Sequence, residues 1–145
     1  MIRIMTISDY DRVYALWLSC QGMGLNDYDD SREGIQRFLE RNSQTCFVIE
    51  MDNQIIGAIM SGHDGRRGFI YHTAIHNDYR CQGLGTLLVN KVLDALKNQG
   101  ISKVALVVFK HNQEGNLFWE KQGFTLREDI AYRNQTLIEM VRIDT

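Results

Sequence analysis

The stretch Arg80-Cys81-Gln82-Gly83-Leu84-Gly85-Thr86 follows an apolar run ending Thr73-Ala74-Ile75 and opens a long amphipathic segment. Two glycines at a strand-to-helix turn let backbone N–H groups converge into a concave nest. The unsatisfied N–H groups of the first helical turn add to it. Such a nest binds a diphosphate, and Arg80 is placed to add a charged fork. Other phosphate binders share this logic but differ in their residues. A dinucleotide-binding turn requires a third glycine at position 88, where Leu88 stands. A P-loop requires Gly-Lys-Ser/Thr, and neither Gly83 nor Gly85 is followed by lysine. Taken alone, a G-x-G is more often a turn before a core helix than a ligand site.

The elements that must hold this turn are legible from periodicity, although the chain has no proline to punctuate it. Residues 2–6 read as a first strand. Ser8 reads as a helix cap with Asp11 as its capping-box partner, and Tyr10, Val13, Tyr14 and Trp17 as the apolar stripe. Gly22-Met23-Gly24 ends that helix, residues 26–30 form an acidic loop, and Ser31 caps a second helix with Ile35, Phe38 and Leu39 inward. Residues 45–51 and 54–61 form a hairpin about Asp52-Asn53. A glycine-rich connection over 62–68 leads to a strand over 69–75, and residues 83–99 are the strongest helix, stopped by Gly100. The run 104–109 reads as a strand buried on both faces. A short helix over 114–122 follows, then strands over 124–128 and 135–143 as a terminal hairpin. The order is mixed α/β in a single domain over residues 1–145.

A second block turns the weak signal into a specific one. Arg80-Cys81-Gln82-Gly83-Leu84-Gly85 fits the R/Q-x-x-G-x-G/A signature of the GNAT superfamily of acyl-CoA-dependent N-acyltransferases. Asn112-Gln113-Glu114-Gly115-Asn116-Leu117-Phe118-Trp119-Glu120-Lys121-Gln122-Gly123-Phe124 resembles that family's second block, N-x-x-A/G-x-x-x-aromatic-E-K-x-G-F. The resemblance covers nearly the whole chain. It implies a mixed sheet, flanked by helices, that splays between the strand ending at Ile75 and the strand over 104–109. Acetyl-CoA, as acyl-donor co-substrate, would lie in that opening. Its diphosphate would sit at Arg80, Cys81, Gln82, Gly83, Leu84, Gly85 and Thr86, and its pantetheine arm along the main chain of Thr73, Ala74 and Ile75. Asn112 would touch the same arm, with Gly115, Phe118 and Trp119 close by.

The implied reaction is direct attack of a neutral primary amine on the thioester. It needs positioning and an oxyanion-stabilising N–H near Ile75 rather than a side-chain nucleophile. Many relatives protonate the leaving thiolate with a tyrosine where this chain has Trp119, whose indole N–H is too weak an acid. A donor would then be Tyr71 or Tyr132, or the thiolate takes its proton from water or from the product amine. No carboxylate stands on the strand over 69–75, so the base is open among Tyr71, His72 and relayed water. Tyr71 is the catalytic candidate. Strand alternation places it on the face opposite His72, which reads as a structural histidine. Asp64, Arg66 and Arg67 read as turn charges beside the site, and Asp27, Asp29 and Asp30 as an acidic loop suited to a cationic amine. Cys81 sits at a helix N-terminus, where a thiol pKa can fall. The alternative reading is a CoA-binding sensor with little transferase activity. Another nucleotide-phosphate binder is a poorer third.

Composition bounds these readings. The chain is 44% hydrophobic and 23% charged, with sixteen basic against eighteen acidic side chains and a formal charge of −2. That balance excludes disorder and disfavours bulk nucleic-acid binding. Three scattered cysteines and four histidines show no zinc spacing, so no metal is expected. The opening residues reach Asp9 and Asp11 before any signal-like apolar stretch, and no run approaches the ~20 residues of a membrane helix. The expectation is a cytoplasmic protein with an amine-bearing acceptor and no membrane partner. The resemblance adds a homodimer, with the terminal hairpin as one exchange surface.

Overall fold

The computed structural model describes residues 1–143. Strand β1 (Ile2–Ile4) leads into α1 (Tyr10–Leu18) through a 3-10 turn at Ile7–Asp9. The helix entry lies earlier than Ser8 and Asp11 predict. The Asp9 carboxylate accepts the Thr6 N–H at 2.9 Å, so Thr6 and Asp9 form the box. Asp9 is favoured there because its two oxygens also take Arg3 at 2.9 and 2.8 Å, and one takes Arg12 at 2.9 Å. Glu50 accepts from the same two arginines at 2.8 Å each, so four charges tie α1 to the strands beneath it.

After the short β2 (Leu25–Asn26), α2 (Arg32–Arg41) starts where its cap predicts, with Ser31 Oγ accepting the Gly34 N–H at 3.0 Å. Asp52 and Asn53 adopt positive φ values of 51° and 64°. That left-handed pair matches strand twist and joins β3 (Phe47–Met51) to β4 (Gln54–His63). β4 then turns into β5 (Arg67–Ile75) through a connection shorter than predicted. The reason is Asp64, whose Oδ1 accepts the N–H groups of Arg66 and Arg67 at 2.8 and 2.7 Å and closes the turn. The remaining elements are α3 (Leu84–Asn98), β6 (Lys103–Ala105), α4 (Gln113–Lys121) and β7 (Arg142–Ile143).

The main sheet has the order β1-β3-β4-β5-β6, antiparallel except for the β5–β6 pair. Along β3, Val48 packs with Val13 and Trp17 of α1 and Ile35 of α2, whereas Phe47 and Ile49 pack with Leu88, Val89 and Val92 of α3. Both faces of the central strands are covered, which is why they read as continuous apolar runs.

Two expectations are overturned here. The run 104–109 is not a strand buried on both faces: pairing stops at Ala105, and Val107 is 58% exposed. Val104 and Leu106 pack into the cluster that holds α3, whereas Ala105, Val107 and Phe109 on the other side are exposed, with only the Phe109 ring partly covered by Arg142 among the described residues. A β-branched run reports apolarity, while coverage is decided by elements remote in sequence. The terminal hairpin also does not form, and Leu126 and Leu137 are 77% and 88% exposed. The chain returns instead to the loop after β2. There Asp27 donates its N–H to the Val141 carbonyl at 2.9 Å, and its carboxylate accepts the Val141 N–H at 2.6 Å. β7 then pairs antiparallel with β2. Among the described residues no helix is long and apolar enough to cross a membrane.

Candidate active site

β5 pairs with β4 along its length, but with β6 only through Arg67, Gly68 and Phe69. Beyond Phe69 the two strands part, leaving the outer edge of β5 open as far as Ile75. A free strand edge carries alternating N–H and C=O groups that an extended amide-bearing ligand can pair with. Thr73, Ala74 and Ile75 lie on this stretch of β5.

At the end of the edge the chain makes a 3-10 turn at Asn77–Tyr79 and enters α3 through the nest. Cys81 and Gly83 both take left-handed φ, 62° and 79°, which swings successive N–H groups to one side. A Cβ at Gly83 would meet nothing within 4 Å, so the space an anion needs is open there. Gly85 has a different task. A Cβ on it would lie 2.9 Å from the Phe118 ring, so this glycine admits α4 rather than phosphate. Arg80 departs from its expected role as a free fork: its Nε donates to the Ile75 carbonyl at 3.2 Å and Nη2 reaches Cys20 Sγ at 3.7 Å. It thereby fastens the nest to the strand end. Cys20, buried at the end of α1, was not singled out by sequence, since no motif marks it.

α4 brings the second block onto the first. Asn112 caps it by accepting the Gly115 N–H at 2.9 Å, and a Cβ at Gly115 would collide with that cap. Gln122 donates to Thr86 Oγ1 at 2.9 Å, across the first turn of α3. Trp119 packs edge-on against Phe118 and Phe124, so it is a wall and not an acid. The residues that sequence grouped in two blocks are brought together around one mouth.

On the α2 side, a cavity of about 590 Å³ lies over the first half of β5, walled by Phe38, Phe69 and Tyr71. The Tyr71 ring meets Phe38 at 5.4 Å and Phe69 at 4.8 Å between centroids. Burial pushes its phenol pKa up, and Tyr132 and Asp29 add to the effect, so Tyr71 is protonated at neutral pH.

The prediction that Tyr71 and His72 face opposite ways fails. Ile59 pairs with Thr73 and Ser61 with Ile70, so Met60 alone opposes both Tyr71 and His72. This bulge breaks the alternation and turns both towards the helices α2 and α1. His72 is structural, with Nε2 2.6 Å from Asp30 Oδ1 and its ring against Trp17.

The acidic loop is likewise spent on structure and is not an open amine pocket. Asp30 is buried and accepts the Asn26 N–H, Asp29 accepts from the Asn26 amide, and Asp27 holds Val141. Burial pushes the Cys46 thiol up to about 12, whereas Cys81 is exposed. No three His, Cys, Asp or Glu side chains among the described residues are grouped to hold a metal ion.

A helix-flanked mixed sheet of this kind recurs in solved structures. Ard1 from Thermoplasma volcanium superposes with a TM-score of 0.76 at 22% identity, over 88% of this chain and 83% of its own. The PaiA N-acetyltransferase from Thermoplasma acidophilum, solved with coenzyme A, gives 0.76 at 18% identity over 90% and 92%. An acetyltransferase of Sodalis glossinidius (strain morsitans) is 29% identical over 138 residues, 95% of this chain and 96% of that one. The Acetyltransferase (GNAT) family matches residues 10–124. The chain belongs to this family and is an acyltransferase.

Proposed function

We propose that this enzyme transfers an acetyl group from acetyl-CoA to a primary amine by direct attack while both substrates are bound. The observation that carries the reading is the free edge of β5 running into the nest at residues 82–86. The spacing suits a ligand with amides at one end and a diphosphate at the other. The open space at Gly83 and the left-handed turn at Cys81 fit a diphosphate, and of Thr73, Ala74 and Ile75 the first and last turn their main-chain groups away from β4 towards the arm. Phe118 and Trp119 wall the opening, and Asn112 and Gly115 hold α4 over it.

Acetyl-CoA supplies the activated acyl group. The amine nitrogen forms the new C–N bond as the C–S bond breaks, and the nitrogen loses a proton as the thiolate gains one. A backbone N–H near Ile75 would stabilise the charge that grows on the carbonyl oxygen. Tyr71 enters as a neutral phenol, which fits a proton donor better than a standing base. The amine then gives its proton to water, from which the Tyr71 phenolate recovers the proton it lent to the thiolate.

Calorimetric titration with acetyl-CoA, CoA and ATP in parallel tests the reading, followed by thiol release with a panel of amines. Binding of both CoA species without ATP, and thiol release only with amine present, is the expected result. Binding without amine-dependent release would instead identify a CoA-binding module.

A further inference from the structure

We infer that the acceptor is an elongated amine whose far end carries a carboxylate or a phosphate, held by the exposed side chains of Arg41, Arg67 and Lys103 at the end of the α2-side cavity remote from the splay. The inference rests on the transferase reading above and specifies its substrate.

The cavity is polarised along β5. At the end nearer the splay stands Tyr71, with Asp29 close enough to raise its pKa electrostatically. At the opposite end Arg67 and Lys103 face each other at the parallel pairing that starts β5 and β6, and Arg41 joins them from the last turn of α2. Arg41 and Lys103 make no ion pair among the described residues, and Arg67 donates only to the neutral Ser102 hydroxyl, at 2.7 Å. The one carboxylate in the lining, Asp64, takes the two turn N–H groups on Oδ1 and forms no ion pair with these cations. His63 adds no acid either: its Nδ1 accepts the Gly65 N–H and its Nε2 meets Gln99.

Three cations against one carboxylate is a local excess of positive charge on a chain whose formal charge is −2. Cations gathered with no carboxylate partner among the described residues, at the end of an aromatic-walled cavity, suit an anionic group through charge-assisted hydrogen bonds. Between the two ends, Phe38, Phe69 and Tyr71 suit an apolar spacer. Arg67 and Tyr71 are four residues apart on one strand, roughly 13 Å of backbone, so with side-chain reach the amine and the anion stand on the order of 8–10 Å apart. The cavity size lies within the usual range for small-molecule sites.

The test compares aminohexanoate, aminohexyl phosphate, hexylamine and diaminohexane as acceptors, by thiol release. The anionic amines should show kcat/KM about tenfold above hexylamine, with diaminohexane poorest. The gap should narrow at high salt. Whichever anion is preferred names the head group. Equal rates with hexylamine, or a preference for the diamine, overturn the assignment.

A binding arm separates this from failure of the transferase reading. Acetamidohexanoate should bind the CoA-loaded protein about tenfold more tightly than hexylacetamide. In the Arg41→Gln/Lys103→Gln double variant that preference should shrink severalfold, with CoA affinity as the folding control. Equal affinity of the two amides overturns the charge assignment whether or not any amine is acetylated. Absence of thiol release with every amine overturns the transferase reading alone.

Discussion

Tyr71 sits where three residue-level influences meet: the aromatic wall of Phe38 and Phe69, the bulge opposite Met60, and the nearby Tyr132. A phenol is neutral at pH 7 by its ordinary pKa of about 10, and an upward shift keeps it so, which lets it lend a proton but not wait as a base. Tyr71→Phe should therefore lower kcat roughly a hundredfold, the lower end of general-acid effects, and leave acetyl-CoA affinity unchanged by calorimetry. Unchanged kcat would move the proton transfer to water. Its neighbour predicts the opposite outcome. His72 is engaged by Asp30 and packed on Trp17, so His72→Gln should lower Tm while kcat stays within a few-fold. Sequence identified both residues but misassigned their faces. A one-residue bulge is set by how two strands pair, and neither strand's own pattern records it.

At the scale of elements, the two glycines of the signature separate into distinct tasks. Gly83 carries the left-handed turn and the open space of the nest. Gly83→Asp adds strain, bulk and a negative charge, and should abolish acetyl-CoA binding in a folded protein as judged by circular dichroism. Gly85 instead sits under Phe118. Gly85→Val should displace α4 from α3, costing about 1–3 kcal/mol of stability in urea unfolding and weakening acetyl-CoA binding only through that displacement. The motif was fully legible as a string, since the spacing of turn and helix start is local. That Gly85 serves helix contact was not legible, because Phe118 arrives from a distant element.

At the scale of the molecule, the charge network of Arg3, Asp9, Arg12 and Glu50 fastens α1 to β1 and β3. Burial opposes ionisation of Asp9, but Arg3 and the Thr6 N–H, helped by Arg12, outweigh it and hold the carboxyl below its ordinary range. A lowered folded-state pKa means that Asp9 stabilises fully above the unfolded value of about 3.9, and that this contribution is lost as pH falls through the lower folded value. Asp9→Ala should cost about 2–3 kcal/mol at neutral pH in urea unfolding, somewhat below a fully buried pair because Arg3 is partly exposed. The difference from the unsubstituted protein should shrink in the acid range. A constant difference down to the acid transition would show that Asp9 acts through packing alone.

Local interactions account for what the sequence determined by itself. The Ser31 cap, the Asp52-Asn53 turn, the long helix over its apolar stripe and the nest before it all depend on residues a few positions apart. The capping box before α1 was read in the wrong place because Asp9 is selected by Arg3 and Arg12, and Glu50, far along the chain, holds both arginines in place. Likewise, the strand over 104–109 and the terminal hairpin depended on what covers or pairs with them. That partner is β5 for three residues only, and β2 for the last strand. Only the tertiary structure could bring Arg41, Arg67 and Lys103 to one end of a cavity. Backbone turns are decided by short-range sterics and hydrogen bonds, whereas coverage and charge pairing arise when distant elements pack.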